Sequence, residues 1–103
     1  MIPYSYRDNR LFCEETDLAE VARQYGTPAY VYSKAGITGN YARIDAAFAA
    51  APHLVCYALK ANANPALLKM MAELGAGADV VSGGELANDR MLVCCSGARS
   101  ARL

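Results

Sequence analysis

Apolar positions recur along this chain first at helical and then at strand spacing. Leu18, Val21, Ala22 and Tyr25 stand at i, i+3, i+4 and i+7, which predicts a helix. Asp17, with Glu20 three residues on, has the form of a capping box; Gly26 is a natural stop and Pro28 prevents continuation. Ala29–Tyr32 has the composition of a short strand. Ser33 can cap a second helix, with Ile37, Tyr41, Ile44 and Phe48 as its apolar stripe; Gly36 and Gly39 weaken its first turns, and Pro52 ends it. The uncharged run Leu54–Leu59 predicts a buried strand. Asn64 then caps a third helix with Pro65 at its first position, and Leu67, Leu68, Met71 and Leu74 form its inner face. Gly75 and Gly77 close that helix, Ala78–Ser82 reads as a third strand, and Gly83–Leu86 as a turn into a fourth helix. Residues 1–16 are polar and aromatic, and only Arg10–Cys13 among them reads as a strand.

The order strand–helix–strand–helix–strand is the βαβ rhythm of a parallel sheet, so the fold class is α/β. Rhythm alone does not choose between an open doubly wound sheet and a (β/α)8 barrel. No strand is followed by Gly-x-Gly-x-x-Gly or by a Walker loop, so nucleotide binding has little support. Gly75-Ala76-Gly77 precedes a strand, and is therefore a helix exit and not a phosphate loop.

Composition narrows the classes further. The chain has 103 residues, enough for one small domain, and 54% of them are hydrophobic. Ten basic and ten acidic residues cancel, which leaves no basic footprint for nucleic acid or an anionic membrane. No apolar run approaches a membrane span, and the start of the chain lacks the pattern of a signal peptide, so a cytoplasmic location is expected. Cys13, Cys56, Cys94 and Cys95 form no Cys-x-x-Cys pair, and His53 is not grouped with them. A metal site is therefore not expected, and free thiols are.

The candidate chemistry centres on Lys60. The chain has three lysines, Lys34, Lys60 and Lys69, and only Lys60 ends an apolar strand. Alternation would put it on one face with the small residues Cys56 and Ala58. One reading is a strand-end lysine that extends to water. The other is a partly desolvated amine, neutral enough to attack a carbonyl and form a Schiff base.

Two acids accompany it. Asp79 lies in an Ala/Val strand, where a buried carboxylate needs a cation or several donors, backbone amides included. Glu85 lies just past the end of that strand, where it is either a helix-start acid favoured by the helix dipole or part of a site. In a parallel sheet the C-terminal ends of neighbouring strands share a rim, the place where α/β proteins build active sites, so Lys60 and Glu85 are expected together there. His53 precedes its strand, belongs to the opposite rim and reads as structural.

These residues carry a resemblance. Tyr57-Ala58-Leu59-Lys60-Ala61-Asn62 resembles the cofactor-lysine motif of the fold-type III pyridoxal-phosphate decarboxylases. The segment from Gly75 to Leu86 and the segment Gly26–Tyr32 are similar to stretches of the diaminopimelate decarboxylases within that family, in the same order. The Lys-Ala-Asn-Ala start also occurs in alanine racemases, which share the fold, but Gly83-Gly84-Glu85-Leu86 favours the decarboxylases.

The resemblance implies an α/β fold that is a partial (β/α)8 TIM barrel of the alanine racemase type, first β/α units only. Residues 1–28 would form an entry segment and first helix, 29–86 the start of the barrel, and 87–103 a tail outside the family pattern. It implies pyridoxal 5'-phosphate bound through Lys60, with Asp79 and Glu85 lining the lysine's surroundings. The substrate would be an amino acid, meso-diaminopimelate yielding lysine and carbon dioxide, with an ornithine- or arginine-type substrate as the variant within the family. Full-length relatives would be homodimers.

A whole barrel takes roughly 250 residues. This chain is therefore expected to be inactive alone, weakly stable and prone to self-association through open sheet edges. A non-catalytic cofactor-binding module and a non-functional gene remnant are the rival readings. Residues 87–103 are expected to lack the next helix and strand, as a shifted reading frame would leave them.

Overall fold

The computed structural model describes residues 2–80 and the backbone of the strand Leu92–Cys94. The chain divides into two units, Met1–Ala42 and Arg43–Leu103.

The first unit opens with an antiparallel meander of β1 (Tyr4–Arg7), β2 (Arg10–Cys13) and β3 (Thr16–Asp17). Arg7 pairs with Arg10, so Asp8 and Asn9 alone make the first turn. Both have positive φ, 49° and 60°, which is the geometry of a two-residue hairpin loop of the kind that matches strand twist. Cys13 pairs with Thr16 across a second two-residue turn, Glu14 and Glu15. β1 and β3 are therefore additions to the strand expected at Arg10–Cys13.

Helix α1 spans Leu18–Tyr25. Asp17 caps it by accepting from the Ala19 amide at 2.9 Å. Glu20 does not close the capping box; it pairs with Arg23 one turn on. Gly26, with φ of 82°, takes the C-terminal position and its amide donates to the Ala22 carbonyl.

The strand expected at Ala29–Tyr32 does not form. Composition favours extension there, but a strand needs a ladder, and the segment pairs with none among the described residues. It is held instead by the Tyr4 hydroxyl, which donates to the Val31 carbonyl at 2.7 Å.

Helix α2 (Lys34–Ala47) begins in the first unit and ends in the second. Ser33, which is buried, caps it: its Oγ accepts from the Gly36 amide at 2.8 Å and donates to Glu14 Oε1 at 2.7 Å. The same carboxylate oxygen accepts from the Ala35 amide at 2.9 Å, so two side chains share the orphan amides of the first turn. No residue of α2 is buried. The expected stripe is present in spacing, but Ile44 and Phe48 stay exposed. The helix stops at Ala47, ahead of Pro52, and passes into turns over 48–50.

The second unit then runs through β4 (Cys56–Ala58), a 3-10 turn (Leu59–Ala61), α3 (Pro65–Glu73), β5 (Gly77–Asp79) and β6 (Leu92–Cys94). β4 pairs with β5 and β5 with β6, both parallel. Asn64 caps α3 by accepting from the Ala66 amide at 2.9 Å, with Pro65 first in the helix. Leu68 and Met71 are buried and Leu67 and Leu74 half-buried, the inner face read from spacing.

At the far end of α3 the Ala76 amide donates to Met71 and the Gly75 amide to Ala72, which is a Schellman closure. It needs the positive φ of 90° at Gly75. The Gly-Ala-Gly segment is thus a helix exit. The core of this unit is Leu59, Leu68, Met71, Ala76, Ala78 and Val80.

The alternating elements with parallel pairing form an unclosed, partial TIM-barrel-like arrangement. Two further expectations change. Leu92–Cys94 supplies a third parallel strand, so the tail does not lack one. Of the cysteines, Cys13 is free and buried, whereas Cys56 is disulfide-bonded. No helix of the described residues is long and apolar enough to cross a membrane.

Candidate functional site

The C-terminal edge of β4 and β5 brings the chemistry-bearing residues together. Parallel register sets Cys56 opposite Gly77, Tyr57 opposite Ala78 and Ala58 opposite Asp79. Neighbouring parallel strands lie ~4.8 Å apart, so Asp79 stands one strand spacing from Ala58, two residues before Lys60. The acid and the lysine therefore share a rim, and parallel pairing is the reason.

Lys60 does not sit on the strand itself. β4 ends at Ala58, and Leu59–Ala61 turns as a 3-10 helix. The alternation that would place Lys60 over Cys56 and Ala58 is broken there, and the lysine is exposed, not set in an apolar recess. Its backbone is nevertheless closely held. Leu59 is only 2% exposed and anchors the turn into the core. The Tyr57 hydroxyl donates to the Asn62 carbonyl at 2.9 Å, closing a loop around Lys60. Asn62 Oδ1 accepts from the Asn64 amide at 3.0 Å, and Asn64 in turn caps α3. A rigid base with a free amine is what this turn presents.

Asp79 ends β5 and is half-buried. Among the described residues no ion pair joins it to Lys60. Glu85, the other expected acid, lies outside the described residues. Lys69 lies 3.9 Å from Glu73, one turn along α3, and Lys34 is exposed at the start of α2.

His53 lies on the N-terminal side of β4, away from this rim, as sequence order requires. Its Nδ1 is 2.8 Å from the Ala51 carbonyl and its Nε2 2.8 Å from Asp45 Oδ1. Both partners are acceptors, and they push its pKa above the ordinary value, the Ala51 carbonyl most. Sequence reading had no access to the Tyr57–Asn62 bond, because nothing in spacing says that a strand tyrosine reaches forward to a backbone carbonyl.

The turn fits the carbonyl end of an aldehyde cofactor: one exposed amine on a fixed base, with a carboxylate on the adjacent strand. Among the described residues no group of three or more His, Cys, Asp or Glu side chains could hold a metal ion.

Comparison with known proteins gives this geometry a context. Residues 34–96 match the family model described as pyridoxal-dependent decarboxylase, pyridoxal binding domain. Diaminopimelate decarboxylase of Pseudomonas aeruginosa is 51% identical over 86 residues, covering 84% of this chain and 21% of that protein. The enzyme of the same name from Aquifex aeolicus is 54% identical over 85 residues, covering 82% of this chain and 20% of that one. A crystal structure of diaminopimelate decarboxylase from M. jannaschii superposes with a TM-score of 0.81 at 37% identity, over 90% of this chain and 25% of its own. The chain spans about a fifth of the length of the curated relatives it matches.

Proposed function

Since the chain belongs to the pyridoxal-dependent decarboxylases, matching their pyridoxal binding domain over residues 34–96, we propose that Lys60 is the cofactor lysine of a diaminopimelate decarboxylase-type site. The observation that carries this reading is the placement of Lys60: an exposed amine on a pinned turn at the C-terminal edge of a parallel strand, one strand from Asp79. Lys60 would hold the aldehyde carbon of pyridoxal 5'-phosphate covalently. Asp79, with Glu85, would orient the lysine and does not break bonds. Bound there, the cofactor supplies an electron sink for the charge left when carbon dioxide departs.

The substrate in this reading is an amino acid, meso-diaminopimelate, and the product lysine. Support comes from the names of the similar proteins and from the M. jannaschii enzyme solved with L-lysine, which matches this chain with a TM-score of 0.81. These 103 residues alone are not expected to turn over, since a barrel takes roughly 250. They are expected to self-associate: β4 pairs on one side only among the described residues, and Ile44, Phe48 and Leu54 are exposed.

Reduction of a mixture with pyridoxal phosphate by borohydride, followed by peptide mapping, tests the assignment. Label concentrated on Lys60 supports it; equal label on Lys34, Lys60 and Lys69 removes it. Lysine release from diaminopimelate, followed in parallel, separates a decarboxylase from a binder.

A further inference from the structure

We propose that Tyr57 is a positioning residue for Lys60. The inference rests on the reading of Lys60 as the cofactor lysine and deepens it. Tyr57 lies in the middle of β4, where the ladder to Ala78 fixes its backbone. Its hydroxyl reaches past four residues to the Asn62 carbonyl at 2.9 Å, in a part-buried setting. Lys60 is inside the loop so closed.

The turn has two further anchors, the burial of Leu59 and the Asn62–Asn64 bond, but neither spans Lys60. Leu59 fixes the residue before it, and Asn62 fixes the exit toward α3. The β4–β5 ladder holds the strand, and the tyrosine bond closes the short loop from that strand directly across Lys60 to Asn62. A 3-10 turn has poorer hydrogen-bond geometry than an α-helix and depends more on such outside support. Removing the hydroxyl leaves the strand, the core residue and the α3 cap in place, and frees the segment that aims the amine.

The test is Tyr57→Phe, which keeps the ring and removes only the donor. Lys60's preference over Lys34 and Lys69 in borohydride-trapped pyridoxal phosphate labelling is expected to fall about fivefold, the equilibrium factor that goes with one ordinary hydrogen bond. The melting temperature is expected to stay near that of the parent chain. A merely structural tyrosine would lower the melting temperature and leave the ratio among lysines unchanged.

A second variant covers the case in which the phenylalanine chain does not fold. An ester in place of the Asn62–Ala63 amide weakens the same acceptor and leaves Tyr57 intact, and it should reduce the preference in the same direction. Undiminished preference for Lys60 in either folded variant overturns the role of Tyr57 and leaves the cofactor-lysine reading standing. Even labelling of all three lysines in the parent chain overturns both.

Discussion

Ala58 and Asp79 are register partners across the β4–β5 ladder, and this pairing sets Asp79 at the strand edge from which the Lys60 turn leaves. Asp79 is half-buried and joins no described ion pair, so its carboxylate contributes little to holding the sheet. Asp79→Asn is therefore expected to change stability by no more than about 0.5 kcal/mol. The same substitution should reduce pyridoxal phosphate labelling at Lys60 relative to Lys34. Denaturant unfolding and peptide mapping on one preparation check both halves. A large stability loss would assign Asp79 to the fold, not the rim.

Leu59 carries the opposite expectation. It is the largest fully buried side chain described, 2% exposed, and it anchors the Lys60 turn in a core of only a few residues. Leu59→Ala removes buried methyl groups and leaves a cavity, a change that costs about 2–5 kcal/mol. In so small a core the expected result is loss of the cooperative transition of the second unit, read as a flattened urea melt.

Gly75 closes α3 at a φ of 90°, with the Ala76 and Gly75 amides bonded back to Met71 and Ala72. A side chain is strained there, and Gly75→Ala should cost roughly 1–2 kcal/mol. Gly36 gives a contrast that does not depend on φ: a Cβ there would come within 3.1 Å of Ser33 Oγ, the capping atom itself. Thermal melts of the two alanine variants measure one cost from backbone conformation and one from crowding.

How far these features could be read from sequence depends on what each one needs. Helix ends need only local residues, and Asp17, Ser33 and Asn64-Pro65 cap where spacing put them. Strands need partners that local sequence does not reveal. Ala29–Tyr32 has strand composition and no ladder among the described residues, while Leu92–Cys94, where no strand was expected, finds one on β5. The first hairpin turns at Asp8-Asn9, without the glycine that usually marks such a loop, so β1 gave no signal. At the site, the rim was expected to hold Lys60 with Glu85, which lies outside the described residues; Asp79, expected inside its strand, ends β5 instead. The 3-10 turn was not readable, because period-two alternation carries no mark of where a strand stops.

The cap of α2 has an acid-sensitive half. Glu14 Oε1 accepts from both Ser33 Oγ and the Ala35 amide, and these bonds, the serine's first, hold its carboxyl below the usual glutamate value. A depressed carboxylate stabilises the fold fully above its ordinary value, and that contribution is lost as pH falls through the folded-state value. Acid titration should loosen the start of α2, and Glu14→Gln should remove the pH dependence of that step. Ser33→Ala, which deletes the buried cap, is expected to cost about 0.5–2 kcal/mol at neutral pH. Amide exchange at Ala35 and Gly36 across an acid series reads both effects.

His53 provides the matching test on the basic side. Both of its ring nitrogens face acceptors, the Ala51 carbonyl and Asp45 Oδ1, each at 2.8 Å. A neutral imidazole has one N–H and can donate to only one of them; the imidazolium donates to both. The carbonyl, then the carboxylate, accordingly raise the pKa above the ordinary 6.5. A group raised on folding contributes its stability fully below the unfolded value, and the contribution disappears as pH rises through the folded one. The turns after α2, with the Phe48 ring 5.9 Å from the imidazole, should therefore loosen as pH is raised from below 6.5 to above the folded value. Because the chain has one histidine, a single C2–H resonance follows the titration without assignment. Its midpoint is expected above 6.5, and Asp45→Asn should lower it while the Ala51 bond keeps part of the rise. A midpoint at or below the ordinary value in the parent chain would mean that the ring does not bridge the two acceptors.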